Sequence, residues 1–328
     1  MKDKQTEIFR SITNTSENNW QSTIGIYLLR GLTWFIILIF LLILGVIYVN
    51  GSEVISWEFL LNAPSGNVKT GGIGFAVFGT FALCLFMIIL SVPIGVLSAI
   101  YLSEYAQNNK LKKIIRISIN NLAGVPSIVF GLFGLGFFVL IVGKSFDKVL
   151  STGLLFGKPS LLWASATLAI LVLPTIIVST LESLERVPKE QRDSAFGLGA
   201  TKWQVIKKIV VPQARPGILT GIILAVSRGA GEVAPVLFLG CAFFLPDLPV
   251  TYLNMGLFSV PLINPAEQFM FLAYNIFVSS IHSPNTSLSN PYQYGTVLVL
   301  ITMVLIFNIT AVIFRYRFRK ILDEVTNH

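Results

Sequence analysis

Long uncharged apolar stretches alternate with short charged clusters along the chain. A helix needs about 20 predominantly apolar residues to cross a bilayer core. Six segments meet that requirement: residues 31–52, a stretch within 70–103, another within 117–143, then 159–181, 216–246 and 292–314. The fifth is interrupted by Arg228 and Glu232. Pro93 lies inside the second segment, where neighbouring helices or polar side chains must satisfy the freed carbonyl, so a kink is expected there. Residues 269–281 are apolar but too short to span, which predicts an interfacial or re-entrant position. Gly71, Gly72, Gly74 and Gly79 at the second segment, and Gly124, Gly131, Gly134 and Gly136 in the third, suit the close approach of helices in a packed bundle.

Composition narrows the class further. Of 328 residues, 24 are Lys or Arg and 16 are Asp or Glu, a charged share of 12% against about 25% in soluble domains. The hydrophobic share is 54% and the mean hydropathy is +0.75, more apolar surface than a soluble fold of this size has interior for. Disorder, coiled coil and disulfide scaffold are excluded by the same figures. Cys84 and Cys241 sit in apolar runs and read as small hydrophobes, and with only His282 and His328 beside them no metal site is expected.

Charge placement sets a direction. Assigning alternate sides puts 19 Lys or Arg in the N-terminal tail, the 104–116 loop, the 182–215 loop and the C-terminus, against Lys69, Lys144, Lys148 and Lys158 opposite and Arg228 within a span. Both termini are therefore predicted to be cytoplasmic. The organisation expected is a tail over 1–30, a six-helix domain over 31–320 and a short tail over 321–328. A long polar tail precedes the first span and no small-residue cleavage site follows its core, which reads as a retained anchor. Ten acidic residues share the cytoplasmic face, leaving it about +9, which suits an anionic lipid bilayer and makes a nucleic-acid partner unnecessary.

The 182–215 loop carries the densest signal. Pro188 starts a short helix through about Phe196, and Gly197 to Gly199 end it. Thr201 and Gln204 have capping-box spacing and open a second helix with Trp203, Ile206 and Val210 on one face, which Pro212 is expected to stop. The segment resembles the loop signature of ABC importer permeases: Glu-Ala-Ala, three residues, Gly, nine residues, Ile, one residue, Leu-Pro. Here Asp193, Ser194, Ala195, Gly199, Ile209, Val211 and Pro212 match it with every spacing kept. The departures are Asp for Glu, Ser for the first Ala and Val for Leu. The resemblance implies a coupling helix that docks on a separate ATPase subunit.

Arg228 and Glu232 stand four residues apart within the fifth segment, which places them on one helix face. Charges at that depth cost about 2.5–3.5 kcal/mol each on insertion scales, and face a bundle interior or a water-filled path. A guanidinium fork suits a phosphate or carboxylate oxygen pair, and a structural ion pair is the plain alternative. Arg228, Gly231, Glu232, Ala234 and Pro235 are similar to the fifth-span motif of phosphate importer permeases. Pro126, Ser127, Gly131 and Leu132 in the third span, and Gly71, Gly72, Gly79 and Thr80 in the second, resemble the same family. Ala234 and Pro235, with Leu248 to Thr251 in the outer loop, resemble its A-type.

The resemblance covers about residues 70–317 and implies an all-α polytopic membrane protein with the type I ABC importer permease (MetI-like) fold. It implies a substrate pathway through Arg228, Glu232, Ser127 and Thr80. It also implies assembly with a C-type permease as a heterodimer, with two ATPase subunits that bind ATP and Mg, and with a phosphate-binding protein, for import of inorganic phosphate across the cytoplasmic membrane. No cofactor is expected in this chain itself. An importer of the same build for sulfate or molybdate stays open, because the loop is shared and only the fifth span speaks for phosphate. A secondary transporter without an ATPase is the alternative from another class, and no inverted repeat favours it.

Other signals carry nothing. Gly143, Lys144 and Ser145 spell the end of a phosphate-binding loop, but position 138 is Phe where its first glycine belongs. Nothing combines a nucleophile with a base and an orienting group, so no catalytic site is expected.

Overall fold

Among the described residues six helices are long and apolar enough to cross a membrane: Thr23–Val54, Gly74–Tyr105, Ser127–Leu150, Leu161–Glu185, Lys202–Gly231 and Pro291–Arg317. The computed structural model describes residues 19–65, 71–151, 153–255, 258–282 and 286–326. Most of the expected N-terminal tail, Lys69 and residues 327–328 lie outside them. Span four is the centre of the bundle. Spans two and five pack along it, span six packs on span five, and span one packs on span six. Lipid is as apolar as a leucine side chain, so the spans hold together through close packing and polar contacts between them. Gly95 lies against Ile176, Gly217 against Ser183 and Gly221 against Ser179. The Ser179 hydroxyl donates to the Gly217 carbonyl at 3.0 Å, tying span four to span five.

Several boundaries move from their sequence expectation, each for a local reason. Residues 117–122 end an amphipathic helix, Lys110–Leu122, capped by the Asn109 side chain. Span three starts only at Ser127, because Pro126 disfavours helix in the residue before it. That span then runs on to Leu150, so Gly143, Lys144 and Ser145 are helical and form no phosphate loop. Span one extends back past Arg30 into a helix beginning at Asn19, since Ile24, Ile26, Tyr27, Leu28 and Leu29 continue its apolar surface.

Pro212 does not stop its helix. A π-helical turn over Ile206–Val210 leads straight into Val211–Gly231, with Pro212 in the first turn. Wide turns commonly mark a point where the regular hydrogen-bond ladder is interrupted, and a proline in a first turn loses no bond that it needed.

Span five also differs at its other end. Its helix stops at Gly231, and Glu232 is extended, with φ −82° and ψ 109°. Gly229 and Gly231 favour the helix weakly, and Pro235 cannot continue it. The chain completes the crossing as one irregular turn, in which the Val236 and Leu237 amides bond the Val233 carbonyl. Non-helical backbone at this depth is tolerated only when buried in protein or lining a cavity. Gly131 and Gly134 of span three supply that cover, lying against Ala234, Pro235 and Leu239.

The segment after span five contributes two strand pairs that the all-helical expectation omitted. Cys241–Ala242 pairs in parallel with Phe269–Met270, and Val250–Met255 forms an antiparallel hairpin with Phe258–Ile263. Residues 269–272 then enter the bundle fully buried, followed by the short helix Leu272–His282, about 16 Å long and unable to span. The re-entrant expectation therefore fits. A methyl group added at Gly79 would lie 2.0 Å from the Met270 carbonyl oxygen, so only glycine lets span two accept this segment.

Candidate transport site and projecting loop

The projecting loop is built from local sequence rules. Its first helix, Lys189–Gly197, follows Pro188. It closes with the Gly199 amide on the Phe196 carbonyl at 2.9 Å and the Ala200 amide on the Ala195 carbonyl at 3.1 Å. This paired closure needs a left-handed residue at Gly199, whose φ is +81°. Two residues later the Thr201 hydroxyl accepts from the Gln204 amide while the Gln204 side chain accepts from the Thr201 amide, the expected capping box. The chain thus reverses between two helices within four residues.

That reversal leaves an apolar tip. Leu198 is 89% exposed, and Phe196 and Trp203 are exposed beside it. Asp193 and Ser194 face outward, with the Ser194 hydroxyl donating to the Glu190 carbonyl at 2.7 Å. Ala195 faces inward and packs among Leu184, Val187, Val205 and Val210. Ile209 and Pro212 are half-buried, Ile209 lining the shallow grooves on both sides of the tip. The signature residues are therefore divided between an exposed rim and a buried foot.

The second site is the end of the fifth helix. Arg228 Nε donates to Glu232 Oε1 at 3.1 Å, and the side chains are 37% and 22% exposed. Arg228 occupies the last helical turn, where unpaired carbonyls favour a cation. Glu232 reaches back from the extended chain and is not on the same helical face, as four-residue spacing had suggested. The ion pair engages one edge of the guanidinium, and among the described residues its two terminal nitrogens carry no hydrogen bond.

Depth follows from the neighbour. Gly229 abuts Met87 of span two, and Met87 stands 13 residues from that span's start and 18 from its end. At the rise of an α-helix these separations are about 20 Å and 27 Å, so the charged pair sits near mid-depth. At the residue just before Arg228, the Ser227 hydroxyl hydrogen-bonds Asn308 of span six.

The other expected pathway residues separate. Ser127 is half-buried at the start of span three, one turn before the Gly131 that lies against Ala234 and Pro235. Thr80 is fully buried; its hydroxyl donates to the Ala76 carbonyl at 2.6 Å and accepts from the Leu272 amide at 3.0 Å. With both contacts used, the Thr80 hydroxyl holds the re-entrant segment against span two. Sequence reading missed its partner because Leu272 is 192 positions away.

Comparison with known proteins gives this geometry a family. The profile of the family described as "Binding-protein-dependent transport system inner membrane component" matches residues 91–323, which include both the projecting loop and the charged pair. The chain belongs to that family. This permease is 30% identical over 267 residues to the probable ABC transporter permease protein YqgI of Bacillus subtilis, covering 81% of this chain and 85% of the relative. It is 31% identical over 266 residues to the phosphate transport system permease protein PstA 1 of Mycobacterium tuberculosis H37Rv, covering 79% and 75%. A chain of the crystal structure of a bacterial ABC transporter involved in the import of the acidic polysaccharide alginate aligns over 95% of this permease and 99% of its own length, with TM-score 0.61 and 12% identity. A chain of the inward-facing MetNI methionine ABC transporter aligns over 75% and 94%, with TM-score 0.50 and 18% identity. At those identities the likeness carries the fold, which is that of type I ABC importer permeases. The permease is a membrane transport subunit and not an enzyme, and ATP hydrolysis resides in partner subunits.

If Thr80 is a packing residue, Thr80→Val leaves the Leu272 amide buried without a partner at a cost of about 1–3 kcal/mol. The expected outcome is a lower thermal unfolding midpoint of the purified permease in detergent. An unchanged midpoint would contradict that packing role.

Proposed function

We propose that the permease is the A-type subunit of an ATP-driven importer of inorganic phosphate. The observation that carries this reading is Arg228, a mid-depth guanidinium whose two terminal nitrogens carry no hydrogen bond among the described residues. A planar fork of donors fits two oxygens of a tetrahedral anion, and in a low-dielectric setting the charge is worth more than in water. Glu232 holds the guanidinium in place when no anion is bound and competes with the anion when one is, which favours release over trapping. Ser127, near the same irregular stretch, adds a hydroxyl to the path. The relative named as a phosphate transport permease supports phosphate over sulfate or molybdate.

In this reading a C-type permease completes the pathway as a heterodimer, two ATPase subunits supply energy, and a phosphate-binding protein delivers the anion outside. The Lys and Arg bias supports a cytoplasmic side for both termini and the projecting loop. The exposed Leu198, Phe196 and Trp203 enter a cleft of the ATPase, with Asp193 at the rim for a basic partner group.

Two variants test the two halves. Arg228→Gln inserts and assembles but loses phosphate uptake by about tenfold or more, since a charge-assisted hydrogen bond is worth about 1.5–3 kcal/mol. Normal uptake by reconstituted Arg228→Gln complexes would remove Arg228 from the path. Gly199→Trp strains the left-handed position and loses co-purification with the ATPase subunits; retained assembly with full ATPase stimulation contradicts docking through this loop.

A further inference from the structure

Arg192 lies on the first loop helix, between the residues that match the signature and the body of the bundle. One of its terminal nitrogens donates to Glu104 Oε1 at 3.0 Å and to the Leu184 carbonyl at 2.7 Å. Glu104 belongs to the π-helical turn Tyr101–Tyr105 that ends span two. The side chains are 16% and 12% exposed, more buried than the Arg228 and Glu232 pair. Each partner has further ties: Ser103 donates to the same Glu104 oxygen at 3.0 Å, and the Leu184 carbonyl closes span four.

A second contact grips the same end of span two. The Lys202 ammonium lies 4.8 Å from the centre of the Tyr105 ring. Arg192 precedes the Gly199 reversal and Lys202 follows it, so both arms of the projecting loop hold one short segment. Beneath them Ala99 and Leu102 of span two pack with Leu184, Ala195, Val205 and Val210 in one apolar cluster. Chain connectivity already joins the loop to spans four and five. Nothing covalent joins it to span two, and a buried ion pair is the contact able to do so stiffly, because breaking it strands a charge away from water.

We propose that Glu104 and Arg192 form the link by which movement of the projecting loop is passed to span two. They are positioning residues; neither touches the solute. The consequence lies at mid-depth, because span two carries Met87 against Gly229, the residue next to Arg228. Displacement of the loop by an ATPase therefore reaches the charged pair from two sides, through span five directly and through span two by this link. The inference rests on the reading of the loop as an ATPase-driven element.

The test uses the complete reconstituted importer with a nitroxide label on Tyr101→Cys, an exposed position in the same turn as Glu104, in a background lacking the two native cysteines. Glu104→Ala and Arg192→Ala are each expected to keep the ATPase subunits bound while the ATP-dependent change in the label's spectrum is lost and the phosphate imported per ATP falls by roughly an order of magnitude. The double variant is expected to be no worse than either single one, since both remove the same contact. Additive losses, an unchanged response in the single variants, or loss of the ATPase from them would overturn the link. No ATP response in the parent complex would overturn the loop reading itself, a different result from its selective loss in the variants.

Discussion

A guanidinium held at mid-depth in a low-dielectric bundle is the constraint around which the rest of this permease is arranged. Arg228 is tolerable there because Glu232 neutralises it, and Glu232 does so from the extended residue that follows the helix end at Gly231. Stopping a helix inside a membrane releases backbone carbonyls and amides, which must then be covered by protein. Span three provides that cover with glycines, since Gly131 and Gly134 bring their backbone against residues 234–239. Span two provides the other wall through Met87. The broken fifth helix, the small-residue face of span three and the position of span two together enclose this charge.

The re-entrant segment follows the same logic from the opposite end. Residues 269–272 bring polar backbone into the bundle and are satisfied by a strand pairing with Cys241–Ala242 and by the Thr80 hydroxyl. Gly79 makes the space. Together with the irregular residues 232–240, this forms a patch of non-helical backbone within the helical bundle, next to the pair to which we assign solute contact.

Much of this was legible in the chain because the rules that produced it are local. Uninterrupted apolar runs mark the six spans, Thr201 and Gln204 announce their cap, and Gly199 stands where the loop helix needs a left-handed residue. What was not legible depends on residues far apart in sequence. Pro212 reads as a stop, yet the preceding wide turn carries the helix through it. The fifth span reads as one helix to 246 because Val233, Val236, Leu237 and Leu239 are as apolar as a helix requires, and hydropathy does not distinguish helix from buried turn. Val250–Met255 and Phe258–Ile263 carry β-branched and aromatic residues that signal strands, but apolar content alone hides the alternation. Glu104 and Arg192 meet across 88 positions and look like ordinary loop charges until the fold joins them.

The most direct test of the central claim is solute competition at the assembled importer. Uptake of radiolabelled phosphate by proteoliposomes holding this permease, its partner permease, the ATPases and the binding protein would be measured with ATP inside and an excess of sulfate or molybdate outside. An Arg228 site serving phosphate predicts ATP-dependent phosphate uptake that neither competitor reduces. Uptake of sulfate or molybdate in place of phosphate would contradict it.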